Sequence, residues 1–116
     1  MAESKSKNTQ KGKDAEDLAT TFLIENQYQI LERNFRFKRG EIDIICQKNN
    51  LMIFVEVKSR KSDFFGFPEE AVSHSKANLI KVTAEEYMIQ KNWHQDIRID
   101  IISITLGKIY HIKDGF

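Results

Sequence analysis

GEIDIICQKNNLMIFVEVKSR, residues 40–60, is the stretch whose reading decides the fold. Two runs rich in β-branched residues, Glu41–Gln47 and Leu51–Ser59, flank Lys48-Asn49-Asn50. Asparagines tolerate the positive φ of tight hairpin turns, so the stretch predicts two antiparallel strands. A two-residue loop at Asn49-Asn50 sets Lys48 opposite Leu51, and every cross-strand pair then has numbers adding to 99. A four-residue loop with the same sum gives the same pairing. Asp43 then faces Glu56, and Glu41 faces Lys58. Alternation puts Glu41, Asp43, Ile45, Phe54, Glu56 and Lys58 on one face. Ile42, Ile44, Cys46, Ile53, Val55 and Val57 take the other. A slip of one residue would bury an acid, so the apolar pattern itself selects the register.

Two carboxylates directly opposed on a sheet repel each other. A hard divalent cation, Mg²⁺ or Mn²⁺, would relieve that repulsion, because two carboxylates plus waters make an ordinary Mg²⁺ site. Asp43 and Glu56 are therefore the expected metal ligands. Lys58 would place an ammonium beside the cation, where it could position a water or neutralise charge developing on a phosphate. The competing view leaves the acids in solvent at a strand end and pairs Lys58 with Glu41 in a common salt bridge. Ile45 and Phe54 share the face, which implies a partly covered site and favours the functional view.

Immediately upstream, RNFRFKR (residues 33–39) holds four basic and two aromatic residues in seven positions. Residues 33–61 carry eight basic against three acidic side chains, whereas the whole chain is only +1. Positive charge beside an acidic pair is what a metal-dependent enzyme acting on a polyanion requires. Arg33, Arg36, Lys38, Arg39, Arg60 and Lys61 are expected to contact phosphates. Phe35 and Phe37 are expected in the core rather than as base-stacking platforms.

The remaining sequence frames this centre. With 116 residues, 41% hydrophobic and 30% charged, the chain suits one domain with a real core. Residues 1–12 lack aromatic and branched aliphatic side chains and are expected to form a flexible basic arm, leaving 13–116 as the domain. The single cysteine excludes intrachain disulfides and zinc ribbons, and Cys46 on the apolar face reads as an inert thiol. No membrane-length apolar run and no signal peptide is visible, so a cytoplasmic location without membrane association is expected.

Ala15, Leu18, Ala19, Phe22 and Leu23 predict a helix from Ala15 to near Asn26, with Glu16 and Asp17 in its first turn. Residues 28–37 read as extended, and residues 61–74, with Pro68, as a loop. Ala77, Ile80, Ala84, Tyr87 and Met88 line one face of a second helix over 75–91. Strands over 97–106 and 109–112 flank a turn at Gly107-Lys108. The fold class is therefore α/β, a central mixed five-stranded sheet flanked by helices in αβββαββ order. His74, His94 and His111 show no metal-binding spacing. Asp100 faces either the acidic pair or solvent, and Lys76 either reaches a phosphate or is a solvated helix residue.

Gly40-Glu41-Ile42-Asp43 followed after an interval by Phe54-Val55-Glu56-Val57-Lys58-Ser59-Arg60 resembles the PD-(D/E)xK signature of restriction-endonuclease-like nucleases. Its spacing is similar to that of archaeal Holliday-junction resolvases. Ala15-Glu16, Ile30-Leu31-Glu32-Arg33-Asn34, Ser75-Lys76, Arg98-Ile99-Asp100 and Ile112-Lys113-Asp114-Gly115-Phe116 further resemble the YraN family of uncharacterised bacterial proteins. Ala15, Ser59 and Gly115 stand where that family often has Gly, Thr and Ala. The resemblance implies a restriction-endonuclease-like core and nucleic-acid binding. It also implies that Glu16, Asp43 and Glu56 serve as metal or water ligands, with Lys58 as the catalytic lysine.

Three functions compete. The first is a Mg²⁺- or Mn²⁺-dependent endonuclease on structured or branched DNA, involved in recombination or repair. The second is a non-catalytic nucleic-acid-binding module of the same fold, and the third a protein-interaction subunit. The intact Asp43, Glu56 and Lys58 favour the first, and the basic segment disfavours the third. Cleavage of a junction would call for two active sites, which a homodimer supplies.

Overall fold

A computed structural model describes residues 2–60 and 74–116, with side chains from residue 12 onward. Helix α1 (Ala2–Glu25) precedes strands β1 (Gln29–Phe37), β2 (Gly40–Lys48) and β3 (Leu51–Arg60). Helix α2 (His74–Lys91) then leads into β4 (Asp96–Thr105) and β5 (Lys108–Ile112), so the αβββαββ order holds. The five strands form one sheet in sequential order, antiparallel except for the central β3–β4 pair. A parallel neighbour needs a crossover, and α2 supplies it. Of the loop expected over 61–74, residues 61–73, Lys61 among them, lie outside the described residues, and His74 belongs to α2 instead. Among the described residues, no helix is long and apolar enough to cross a membrane.

One helix covers each face of the sheet. Ala15, Ala19 and Leu23 of α1 pack on Ile44, Cys46, Ile53, Val55, Ile102 and Ile104. Ile80, Ala84 and Tyr87 of α2 pack on Phe35, Ile42, Ile45, Met52, Phe54 and Ile99. The α1 stripe is narrower than expected, because Leu18 is half exposed. The helix also begins well before Ala15, so Glu16 and Asp17 lie midway along it rather than in its first turn. Its backbone runs through most of the segment expected as an arm, and the side chains of residues 1–11 lie outside the described ones. The closing turn falls one residue earlier than expected, at Leu106-Gly107, with φ of 51° and 80° and Thr105 opposite Lys108. Positive φ at both central residues is what a two-residue hairpin turn demands.

The β2–β3 register follows the sum of 99 from Lys48↔Leu51 to Ile44↔Val55. There the ladder stops. Asp43 Oδ2 accepts the Val57 N–H at 2.8 Å, taking a donor that a continuing sheet would use. Strand β2 stays paired with β1 as far as Phe37↔Gly40 while it leaves β3. Two expectations are corrected by this divergence. Glu41 lies opposite Arg36 rather than Lys58, and Ile42 packs with the α2 cluster instead of sharing the Ile44 face. Gly40 is required at the start of β2, since a Cβ there would strike the Thr83 hydroxyl and lie 3.0 Å from the Leu79 carbonyl.

Candidate active site

The gap between the diverging strands is the floor of a cavity of about 380 Å³. Its walls come from three directions. The sheet supplies Glu41, Asp43, Glu56 and Lys58, α1 supplies Glu16, and α2 supplies Lys76. The resemblance nominated Glu16, Asp43, Glu56 and Lys58, and all four line this one space.

Asp43 and Glu56 meet here without a backbone ladder between them. Burial, then repulsion from Glu56, pushes the Asp43 carboxyl up to about 8, against the pull of the Val57 N–H. A desolvated acid beside another acid holds its proton more tightly, and a cation shared by the two would favour its release. Glu56 itself is buried, at 7% exposure, and Lys58 Nζ lies 3.4 Å from its Oε2. Lys76 forms an ion pair with the same oxygen. Burial, then the neighbouring Lys76, holds the Lys58 ammonium below its ordinary value. For Lys76 burial acts in the same direction, but Glu56 outweighs it and holds the ammonium above its ordinary value.

The donor set is all oxygen, which suits a hard divalent cation. Among the described residues no three acidic, imidazole or thiol side chains form a ready-made cage. Mg²⁺ does not need one, because it usually takes one or two carboxylates and keeps several waters. Asp43 and Glu56 are the residues that could hold it, with Glu16 near enough to the same space to orient a water.

Glu16 and Glu41 are organised by a residue that sequence reasoning missed. Asn34 Nδ2 donates to Glu16 Oε1 at 3.0 Å and to Glu41 Oε2 at 3.3 Å. Asn34 stands at φ 53°, inside a strand, a left-handed conformation that asparagine accepts better than most residues. Two signals pointed to it, an asparagine interrupting a run of strand formers and its place in the Ile30–Asn34 motif of the resemblance.

The basic residues divide into two groups. Arg33 is committed to α1, with its guanidinium 2.9 Å from Asp17 and 3.6 Å from Glu16. Arg36, Lys38 and Arg39 are exposed. Arg36 lies 3.4 Å from Glu41, Lys38 extends over the Phe37 ring, and Arg39 lines the cavity. Arg60 ends β3 with its Nε buried. Phe35 is in the core, in edge-to-face contact with Tyr87, and Phe37 packs beside it.

Asp100 does not join the acids. It is fully buried among groups on the α1 side, where Arg98 grips both its oxygens at 2.8 and 2.9 Å. His111 Nε2 lies 2.7 Å away and the Asp114 N–H donates at 2.9 Å. Burial alone would raise its carboxyl, but His111, Arg98 and the Asp114 amide together hold it below its ordinary value. This is an internal charge network that ties the C-terminal segment to β4. Cys46 is buried in the same layer, its thiol pushed up to about 12 by burial and then by Asp100.

Comparison with known proteins extends over nearly the whole chain. The family described as uncharacterised protein family UPF0102 matches residues 15–104, from Ala15 on α1 to the end of β4. A UPF0102 protein of Persephonella marina is 45% identical over 107 residues, covering 91% of this chain and 92% of the relative. One of Cytophaga hutchinsonii is 46% identical over 106 residues, covering 90% and 94%. One of Natranaerobius thermophilus is 43% identical over 117 residues, covering 94% and 98%. The matched region contains Glu16, Asp43, Glu56, Lys58 and Lys76, and the chain belongs to the UPF0102 family.

Proposed function

We propose that this protein is a Mg²⁺- or Mn²⁺-dependent endonuclease acting on structured or branched DNA. The observation that carries the reading is the Asp43–Glu56 pair, half-buried and buried respectively, with Lys58 beside it in an open cavity. A carboxyl pushed up to about 8 at the floor of a solvent-reachable space supports this reading, because functional sites are where such shifts gather. Arg36, Lys38 and Arg39 give the rim the positive charge that a polyanion needs.

In this mechanism Asp43 and Glu56 would hold the cation, which would supply charge neutralisation and a more acidic water. Glu16, fixed by Asn34, orients the attacking water. Lys58 donates a hydrogen bond to the phosphate as negative charge develops; the attacking water gives its proton to Glu16, and the oxygen released as the P–O bond breaks takes a proton from solvent. Arg39 and Lys38 position the strand through its phosphates and read no sequence.

A second reading, a nucleic-acid-binding module without chemistry, draws support from the double engagement of Glu56 by Lys58 and Lys76. One experiment separates the two. Single-stranded, duplex, flap and four-way-junction DNA are incubated with protein in Mg²⁺, Mn²⁺ or EDTA. Metal-dependent cutting that falls at least about a hundredfold in Lys58→Ala establishes the first reading. Binding of the same DNAs with no cutting under any condition establishes the second. Replacing Arg36, Lys38 and Arg39 by alanine should flatten the salt dependence of duplex binding by about 0.9 for each phosphate the protein no longer neutralises.

A further inference from the structure

Glu56 is approached by two ammonium groups of different origin. Lys58 comes from the same strand and is the more enclosed, at 21% side-chain exposure. Lys76 reaches across from the first turn of α2 and is 39% exposed. Both engage Oε2, an oxygen on the carboxylate that a cation shared with Asp43 would use. An ammonium and a divalent cation cannot both sit at one carboxylate oxygen, since their charges repel and they compete for the same lone pairs. Lys76 is in direct contact with that oxygen whereas Lys58 stands back at 3.4 Å, so Lys76 is the lysine that has to leave when the cation binds. Lys76 also has a route out, because its four-carbon stem is flexible and its side chain is the more exposed of the two. The exit lies along the cavity wall that Arg39 shares, where a bound strand would present phosphate.

Resting on the metal-dependent reading above, we propose that Lys76 is a displaceable counter-ion. It closes Glu56 until a divalent cation takes its place, and the released ammonium then binds a phosphate of the nucleic acid. Metal and DNA are thereby coupled through one side chain, each tightening the other, as reciprocity of binding free energies requires. Lys58 stays in place and remains ready for the reaction.

The test uses the full chain and two readouts besides cleavage. In calorimetric titration with Mn²⁺ alone, Lys76→Met should bind about tenfold more tightly than wild type, having lost the competitor. Lys76→Arg keeps a cation and should bind no more tightly than wild type. Asp43→Asn should bind weakly. In duplex DNA binding, Lys76→Met should have a salt slope about 0.9 smaller than wild type in Ca²⁺ and the same slope as wild type in EDTA. Wild type and Lys76→Met binding Mn²⁺ equally, or a slope difference of the same size in EDTA, would overturn the displacement while leaving the metal site standing. Mn²⁺ binding that is absent from wild type at millimolar concentration, or unchanged in Asp43→Asn, would overturn the metal-dependent reading and the displacement with it.

Discussion

Asp43→Asn should stabilise this protein in the absence of divalent cations, and the gain should grow with pH. Asp43 releases its proton near 3.8 in the unfolded chain and near 8 in the native one, chiefly because it is buried and then because Glu56 faces it. Between those values the native state holds a proton that the unfolded chain has lost. Stability is therefore fully present below about pH 4, falls through the window, and reaches its low plateau above about pH 8. At about 1.4 kcal/mol per pH unit the whole gap would amount to roughly 5–6 kcal/mol. Two things reduce it: the pair titrates as a unit, and water at the cavity mouth screens the charge. A gain of about 1–3 kcal/mol at pH 9 is expected, or roughly 4–12 °C in melting temperature. Asparagine keeps a carbonyl oxygen for the Val57 N–H, now 2.8 Å from Asp43, so no hydrogen bond is lost. The assay is thermal melting of both proteins at pH 5, 7 and 9 in EDTA, repeated with Mn²⁺. At a hundredfold excess over its Kd, Mn²⁺ should add about 2.7 kcal/mol to wild type and little to the mutant, reversing their order. A mutant that melts lower than wild type at pH 9 in EDTA, with Mn²⁺ moving neither protein, would refute the reasoning.

Gly40→Ala should cost about 2 kcal/mol or more, because its methyl would meet Thr83 and the Leu79 carbonyl of α2; adding Thr83→Ala should recover part of the loss in a urea melt, since the hydroxyl clash goes and the crowding against the carbonyl stays. Asp100→Asn should cost about 3–5 kcal/mol at pH 7, since it leaves Arg98 and His111 without the buried carboxylate both now face. Its carboxyl is held below the ordinary value, so the contribution is present above about pH 4 and lost as pH falls further. The gap between wild type and mutant in melting temperature should accordingly narrow in acid.

The hairpin register was legible because its apolar pattern tolerates only one pairing, and Ile44↔Val55 through Lys48↔Leu51 follow it. The same arithmetic failed at the next step for a physical reason. A side chain can replace a ladder partner, and Asp43 does so at Val57, so regular alternation could not be carried through to Glu41 and Ile42. Helix faces were readable in outline. Thr83 is buried against Gly40 because the backbones approach closely there, a fact of tertiary packing that periodicity does not encode. Asp100, alternating with isoleucines, had two destinations in the sequence. Arg98 two residues away and His111 on the next strand decide between them. Lys76 was visible as a charge near a helix start, but its partner is 20 residues distant, and only the crossover brings the two together.

Cys46, the only cysteine, has no exposed surface and a thiol pushed up to about 12. At pH 8 only about one molecule in ten thousand would carry the reactive thiolate even if a reagent could reach it. Alkylation must therefore wait for the sheet to open, and its rate becomes the opening constant multiplied by the rate for a free thiol. For a domain stable by roughly 7 kcal/mol, that slows labelling by about 10⁵. The chain thus carries its own reporter of rare unfolding, readable by mass without any engineered label. A thiol reagent that disables the protein would be registering loss of the fold rather than occupancy of the cavity.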